Sequence, residues 1–224
     1  MKILCVSDQI DPLVYSGVIK ERFADVDYVL SAGDLPMDYL GFIVSCLNKP
    51  LLFVFGNHNL QGLNHFRPGF DDRFTEKGSF NEIDADSSGA IHLGFKVRKE
   101  GSTLFAGLDG SLKYNKGRNQ FSDFEMFLNM LKMTPRLFLN RIIHGRYLDI
   151  LLTHAPPEGI HDKSDPCHRG FRCLLWFMRT FKPRYLVHGH IHLYDLNDVR
   201  STRYGETLVV NAYSHYIIDT GANA

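Results

Sequence analysis

Tyr28-Val29-Leu30-Ser31-Ala32-Gly33-Asp34 is a short apolar run that stops at a polar, glycine-bearing cluster. Four further segments are built the same way. Residues 3–6 stop at Ser7-Asp8, 51–55 at Gly56-Asn57-His58-Asn59, 150–152 at Thr153-His154, and 185–187 at His188-Gly189-His190. Apolar runs this short, bounded by turn residues, read as buried strands. Helical patterns lie between them. Asp11-Pro12 followed by Val14, Val18, Ile19, Arg22 and Phe23 fits an N-cap, a proline in the first turn and an amphipathic helix, and residues 36–47 carry the next one. The alternation of strand and helix implies parallel pairing through helical crossovers, an α/β fold. In such sheets ligands gather at the carboxyl ends of strands, which is where all five polar clusters fall.

The rest of the sequence is less regular. Residues 62–88 are polar, with Gly69, Gly78 and an acidic Asp71-Asp72, and read as a long loop. Short strands are expected over 91–97 and 103–106. Ser122-Asp123-Phe124-Glu125 fits a capping box, Phe124, Phe127, Leu128 and Leu131 continue the helical period, and Pro135 is expected to break this helix from a second one ending near His144-Gly145. A helix over 169–181 carries Phe171, Leu174, Leu175 and Met178 on one face, with Pro183 closing it. Residues 193–199, 207–211 and 216–219 read as antiparallel strands. No repeat or linker divides the sequence, so one domain over residues 1–224 is expected.

Composition narrows the function. The 224 residues hold 25 Lys+Arg, 25 Asp+Glu and 11 His, with 44% hydrophobic and 22% charged residues, a balance that buries a core and excludes a disordered chain. Zero formal charge and a pI near 7.2 remove the electrostatic argument for a nucleic-acid binder. No stretch approaches the ~20 apolar residues of a membrane span, and the apolar run at the N-terminus is too short for a secretory signal. A cytoplasmic protein with no membrane partner is expected. Cys5, Cys46, Cys167 and Cys173 lack CxxC spacing and read as buried, reduced thiols.

The strand-end residues Asp8, Asp34, Asn57, His58, His154, His190 and His192 form one pool of carboxylate, amide and imidazole groups without a thiolate. Such donors suit Mn, Fe, Zn, Co or Mg in a catalytic site. The pool exceeds what one ion needs, and a two-metal centre is the economical reading. Metal pairs of that kind act on phosphoryl groups. Taken singly, each histidine is more often a surface or core residue than a ligand; it is their arrival in order that overturns this. His188 reads equally as packing or as a partner behind the ligands, and His92, His144 and His161 carry no functional reading.

Ser7-Asp8, Gly33-Asp34, Gly56-Asn57-His58-Asn59, Thr153-His154 and Gly189-His190-Ile191-His192, in that order from residue 7 to residue 192, resemble the calcineurin-like metallophosphoesterase superfamily in its small single-domain prokaryotic-type form. The family pattern is DxH, GD, GNHD or GNHE, a lone His, then GHxH. The resemblance implies a four-layer sandwich, two mixed β-sheets flanked by helices. It implies Asp34 as the carboxylate shared by two divalent metal ions, with Asn57, His154 and His190 completing one site and Asp8 and His192 serving the other. It also implies His58 as the catalytic histidine, contacting the phosphate or protonating the leaving oxygen, and a metal-bridging hydroxide as the attacking group. Asp34 then counts with His58 as a catalytic residue.

Two departures from the pattern matter. The third residue of DxH is Ile10, which ligates nothing. Asp11 is the possible replacement ligand, but alternation along a strand starts it on the wrong face, and helix N-cap is the favoured role. The Asp8/His192 site is therefore expected to bind its metal more weakly. Asn59 stands where the family has an acidic residue orienting the catalytic histidine, so His58 is expected to act as a neutral donor more than as a strong acid.

Substrate contacts are expected from Asn59, from Asn115 or Arg118 in the basic loop 110–119, and from His168 or Arg169 in the opposite wall, with Asn64 and His65 close enough to approach. The expected activity is hydrolysis of a small phosphodiester or phosphomonoester. Its rivals are a phosphomonoesterase for a nucleotide or phosphoprotein, and a catalytically weak scaffold such as the retromer subunit of this fold. Four convergent imidazoles favour catalysis, and the oligomeric state is left open.

Overall fold

Alternation along each strand decides how the layers stack. In β1 (Lys2–Ser7), Ile3 and Cys5 point to one face while Leu4 and Val6 point to the other, and all four are fully buried. A strand buried on both faces lies inside a multilayer fold. The computed structural model describes residues 1–60, 62–67, 88–195 and 197–221. It contains two large mixed sheets.

The first sheet joins β1 in parallel to β2 (Tyr28–Ser31), then β3 (Leu51–Phe53) and β4 (Ile91–His92), with β13 (Ser214–Asp219) antiparallel on the far side of β1. The second runs in parallel through β6 (Thr103–Leu108), β9 (Ile150–Thr153), β10 (Tyr185–His188) and β12 (Thr207–Asn211). Antiparallel edges are added by β5 (Val97–Glu100) and β11 (Ser201–Tyr204). A small ribbon pairs β7 (Ser111–Leu112) with β8 (Gln120–Phe121).

Ile3, Cys5, Leu30 and Leu52 meet Phe105, Ile150, Leu152 and Val187 between the sheets. Leu4, Val6 and Val29 on the outer face of the first sheet pack under α1 (Ile19–Phe23) and α2 (Met37–Leu47). Leu104, Leu151, Leu186 and Val209 do the same under α4 (Asp123–His144) and α5 (Arg172–Phe181), while α3 (Leu63–Phe66) is a single turn. The expected four-layer α/β sandwich is what these faces build.

Several local expectations are corrected. Residues 11–18 are turns instead of helix: Leu13 N is tied to Asp11 Oδ1 at 2.7 Å, Val14 N and Tyr15 N to Asp11 O, and Ser16-Gly17 ends the turn before α1 begins. Residues 91–97 do not form one strand, because the chain crosses between sheets there. Leu93 N still bonds Phe53 O while Phe95 N bonds Gly107 O. Pro135 does not break α4, which runs unbroken through it. The buried face of Met126, Met130, Met133 and Leu137 holds the helix through the lost hydrogen bond. Phe124, Leu128 and Leu131 keep the helical period but are exposed. The described residues of 193–199 form no strand, since Asp195 and Asp198 side chains bind the amides of Asn197 and Asp195. α5 starts at Arg172, three residues later than expected from 169. Most of the polar stretch 62–88 lies outside the described residues.

Candidate metal centre

Five loops leave parallel strands on the same edge of the sandwich. Asp8 follows β1, Asp34 follows β2, Asn57 follows β3, His154 follows β9, and His190 follows β10. The first three come from one sheet and the last two from the other, so the cluster sits where both sheets end together. Asp8, Asp34 and His190 hold left-handed backbone conformations, with φ of 63°, 58° and 67°. Such strain in residues with a Cβ persists only where surrounding bonds fix it. Here Asp8 N donates to Gly33 O at 3.1 Å, and His190 N donates to both Asp8 carboxylate oxygens, at 3.0 and 2.9 Å.

One ligand atom each from Asp8, Asp34 and His154 lies within 4.8 Å of the others. His154 Nε2 stands 3.3 Å from Asp34 Oδ2 and 3.1 Å from Asn57 Oδ1. Its Nδ1 lies 2.8 Å from Ala32 O and, acting as donor, leaves Nε2 to face the carboxylate. Metal-ligating imidazoles are oriented in this way. The His190 ring lies 4.9 Å from that of His154, and its Nε2 is 2.6 Å from Cys167 O. His192 is at the margin, with Nε2 3.8 Å from Asp8 Oδ1 and Nδ1 3.0 Å from Tyr194 Oη.

The electrostatics call for added positive charge. Burial alone would raise the Asp34 carboxyl, but the His154 imidazolium, its hydrogen bond and the His58 amide hold it down at about 2. Burial raises the Asp8 carboxyl, with His154 and Ser7 opposing. Burial works against charge on His154, yet Asp34 and Asp8 hold its protonated form up to about 9. His190 is pushed down to about 3 by burial and by His154. Among the described residues, neither Asp8 nor Asp34 has a lysine or arginine partner, and the positive charge beside them comes from imidazoles. This donor set fits divalent metal.

Two glycines make the approach close enough. A Cβ on Gly56 would collide with Asp34 Oδ1 and His154 Cε1, and one on Gly189 would lie 2.6 Å from Asp8 Oδ2. These positions require glycine because another residue's side chain occupies the space.

Other expected residues fall in several places. His58 is exposed, and its imidazole has no hydrogen-bond partner among the described residues; its amide donates to Asp34 Oδ1 at 2.8 Å. Asn59 makes no hydrogen bond to that ring among the described residues, and its Nδ2 donates to Asp34 O at 2.9 Å. The Asp11 carboxylate is taken by Leu13 N, Ser214 Oγ at 2.5 Å and His215 Nδ1 at 2.6 Å. Asn115 closes its own loop onto Gly117 N and Gln120 Nε2, while Arg118 reaches Asn64 Oδ1 at 3.2 Å. His65 stacks edge-on against Phe66. The His168 ring lies 5.6 Å from that of His190 and pairs with Asp165, and Arg169 is exposed. His188 is buried behind the ligands, its Nε2 2.9 Å from His161 Nδ1, and burial with His161 pushes it down to about 3.

The structure adds residues that the sequence reading passed over. Asn57 Nδ2 donates to Tyr114 Oη at 3.2 Å, so the loop after β7 does reach the site, through Tyr114. Asn119 Nδ2 donates to Gly56 O at 2.6 Å. Beneath them the buried Asp109 accepts from Phe55 N at 2.8 Å and lies 3.0 Å from His92 Nε2, fixing the turn that carries Asn57. A signal was present, since the apolar run 103–108 also stops at a polar pair, Asp109-Gly110.

Sheet order brings carboxylate, amide and imidazole groups from five strand ends to one candidate metal centre. The sequence model of the calcineurin-like phosphoesterase family matches residues 1–194, and the chain belongs to that family, whose members are divalent-metal-dependent phosphoester hydrolases. Two solved structures share the fold over nearly their whole length. TT1561 of Thermus thermophilus is 13% identical, with a TM-score of 0.62, 100% of this chain covered and 96% of its own. A second solved chain is 14% identical, with a TM-score of 0.65 and coverages of 99% and 95%. No curated protein sequence matches.

Proposed function

We propose that the chain is a binuclear phosphoesterase hydrolysing a small phosphate ester, with diesters favoured over monoesters. The observation that carries this reading is the convergence of Asp8, Asp34 and His154 ligand atoms within 4.8 Å, from three separate strand ends. Asp34, Asn57, His154 and His190 would hold one cation. Asp8 and His192, with Asp34 shared, would hold the other, which is the weaker site because Ile10 supplies nothing and Asp11 is bound to Ser214 and His215. Manganese, iron and zinc suit these oxygen and nitrogen donors best, with magnesium and cobalt also compatible. Two bound cations supply charge neutralisation on the phosphoryl oxygens and an acidified water.

The chain's own groups do the rest. His58, exposed beside Asp34, donates a hydrogen bond to the phosphate or a proton to the departing oxygen. Asp34 positions the His58 segment through the His58 amide. A groove of about 420 Å³ includes His192 in its lining, with Lys163, Leu193, Tyr194 and Val199 and the acidic Asp162 and Asp198. Its mix of apolar, cationic and acidic groups suits the leaving alcohol of a small ester better than a second phosphate, and a formal charge of zero gives no footing for a long polyanion. No helix among the described residues is long and apolar enough to cross a membrane. The free cysteines suit a reducing compartment, the cytoplasm.

The test is a panel of phosphomonoesters and phosphodiesters assayed with Mn, Fe and Zn, run beside Asp34→Asn. Metal-dependent turnover that the variant loses supports the enzyme; no turnover under any metal would leave a binding scaffold.

A further inference from the structure

The outer helix α4 shows solvent an apolar face that its own core does not use. Met126, Met130, Met133, Leu137 and Asn140 are buried against the second sheet and α5. On the opposite side Phe124, Leu128, Leu131, Phe138, Leu139, Ile142 and Ile143 are exposed, at 68%, 41%, 39%, 47%, 40%, 82% and 61%. Phe124, Leu128, Leu131, Pro135, Phe138 and Ile142 follow one another at intervals of 4, 3, 4, 3 and 4 residues. That is the heptad spacing of a seam between two packed helices. Glu125, Lys132, Arg136 and Arg141 flank this stripe without interrupting it. Phe138 of the stripe is held edge-on by Tyr147 and Phe181.

We propose that this face is the interface of a two-fold homodimer, α4 of one copy packing antiparallel against α4 of a second. Three observations select a second copy as the occupant. The stripe is self-complementary when reversed about residue 133: Phe124 falls opposite Ile142 of the second copy, Leu128 opposite Phe138, and Leu131 opposite Pro135. A two-fold interface demands this kind of self-match. The charges agree with the antiparallel sense. Asp123 and Glu125 lie in the first turn, Arg141 and His144 in the last, so each acidic end comes alongside the other copy's basic end with helix dipoles opposed. The area is sufficient as well. With large apolar side chains offering on the order of 150–250 Å² each, the exposures of these seven residues leave roughly 570–950 Å² per copy. Two copies would bury up to roughly 1,100–1,900 Å², a span that overlaps the range of specific, stable interfaces. The metal centre lies at strand ends, outside this face, so the dimer leaves the ligands untouched.

Sedimentation equilibrium and light scattering on the full chain test this. The expected mass is near twice 25.6 kDa at micromolar concentration. Ile142→Glu and Phe138→Glu, separately and combined, should shift the mass to that of one chain, with the far-UV spectrum and a cooperative thermal transition retained. Phe124→Cys mixed with Ile142→Cys should form an oxidised cross-link that neither variant forms alone. A wild-type chain that stays monomeric at 100 µM, a folded double variant that stays dimeric, or cross-linking of either variant with itself would each overturn the antiparallel dimer.

Discussion

At the scale of the residue, function rests on a few side chains whose charge is set by their neighbours. Asp34, the carboxylate shared by both sets of ligands in the proposed centre, faces His154 and accepts from the His58 amide. Asp34→Asn keeps the shape and removes the charge, and is expected to lower kcat on the order of 10³-fold with loss of divalent-metal binding by calorimetry. His58→Ala removes only a donor at the phosphate. It should lower kcat about 10²-fold while metal binding stays intact, so the two variants separate holding the metal from using it. Gly56→Ala tests close approach. The added methyl would displace Asp34 and His154, abolishing metal binding while the two sheets stay folded.

At the scale of the element, α4 shows local chemistry and packing pulling in different directions. Its start is written locally: Ser122 Oγ accepts from Glu125 N at 3.2 Å, and Glu125 accepts from Ser122 N at 2.7 Å. Ser122→Ala should lower stability by about 1 kcal/mol in a denaturant titration. Pro135 argues for a break in the same helix, yet the buried methionines carry it through. Pro135→Ala restores an N–H to the ladder at an exposed position, and should raise stability by about 1–3 kcal/mol by the same titration. A proline signal is local and a buried face is not, which is why the sequence placed a helix end where none exists. The same holds for residues 91–97, where the crossing from one sheet to the other depends on partners distant in sequence.

At the scale of the molecule, the protonation of the metal-free protein couples folding to pH. His188 and His190 sit at about 3, against 6.5 when unfolded. Below pH 6.5 the unfolded chain takes up their protons first, so stability falls on acidification, by at most about 1.4 kcal/mol per pH unit for each histidine. Asp34, at about 2 against 3.8, adds to the loss near the acid end. His154 acts in the opposite sense: raised to about 9, it contributes fully below pH 6.5 and loses that contribution as pH rises through 9. Metal-free thermal midpoints should therefore peak near neutrality and fall on both sides. In the proposed centre a divalent cation would displace the His154 proton, so its stabilising effect should grow between pH 6 and pH 8 in parallel melts.

The order of strands and helices was legible in the apolar runs, and the ligand types in the clusters that end them. Both are short-range properties: burial periodicity and turn chemistry act within a few residues. Which clusters meet, and which residues stand behind them, was settled only by the folded chain. Tyr114, Asn119 and Asp109 support the Gly56-Asn57 turn from more than 50 positions along the chain. Folding also set the role of Asp11, which bonds Ser214 and His215, residues of a strand that joins β1 only when the first sheet closes. The outward stripe of α4 has the same origin. A helix with two apolar faces does not announce which one its own core will take, and only the packing of α5 and the second sheet against the methionines settled it.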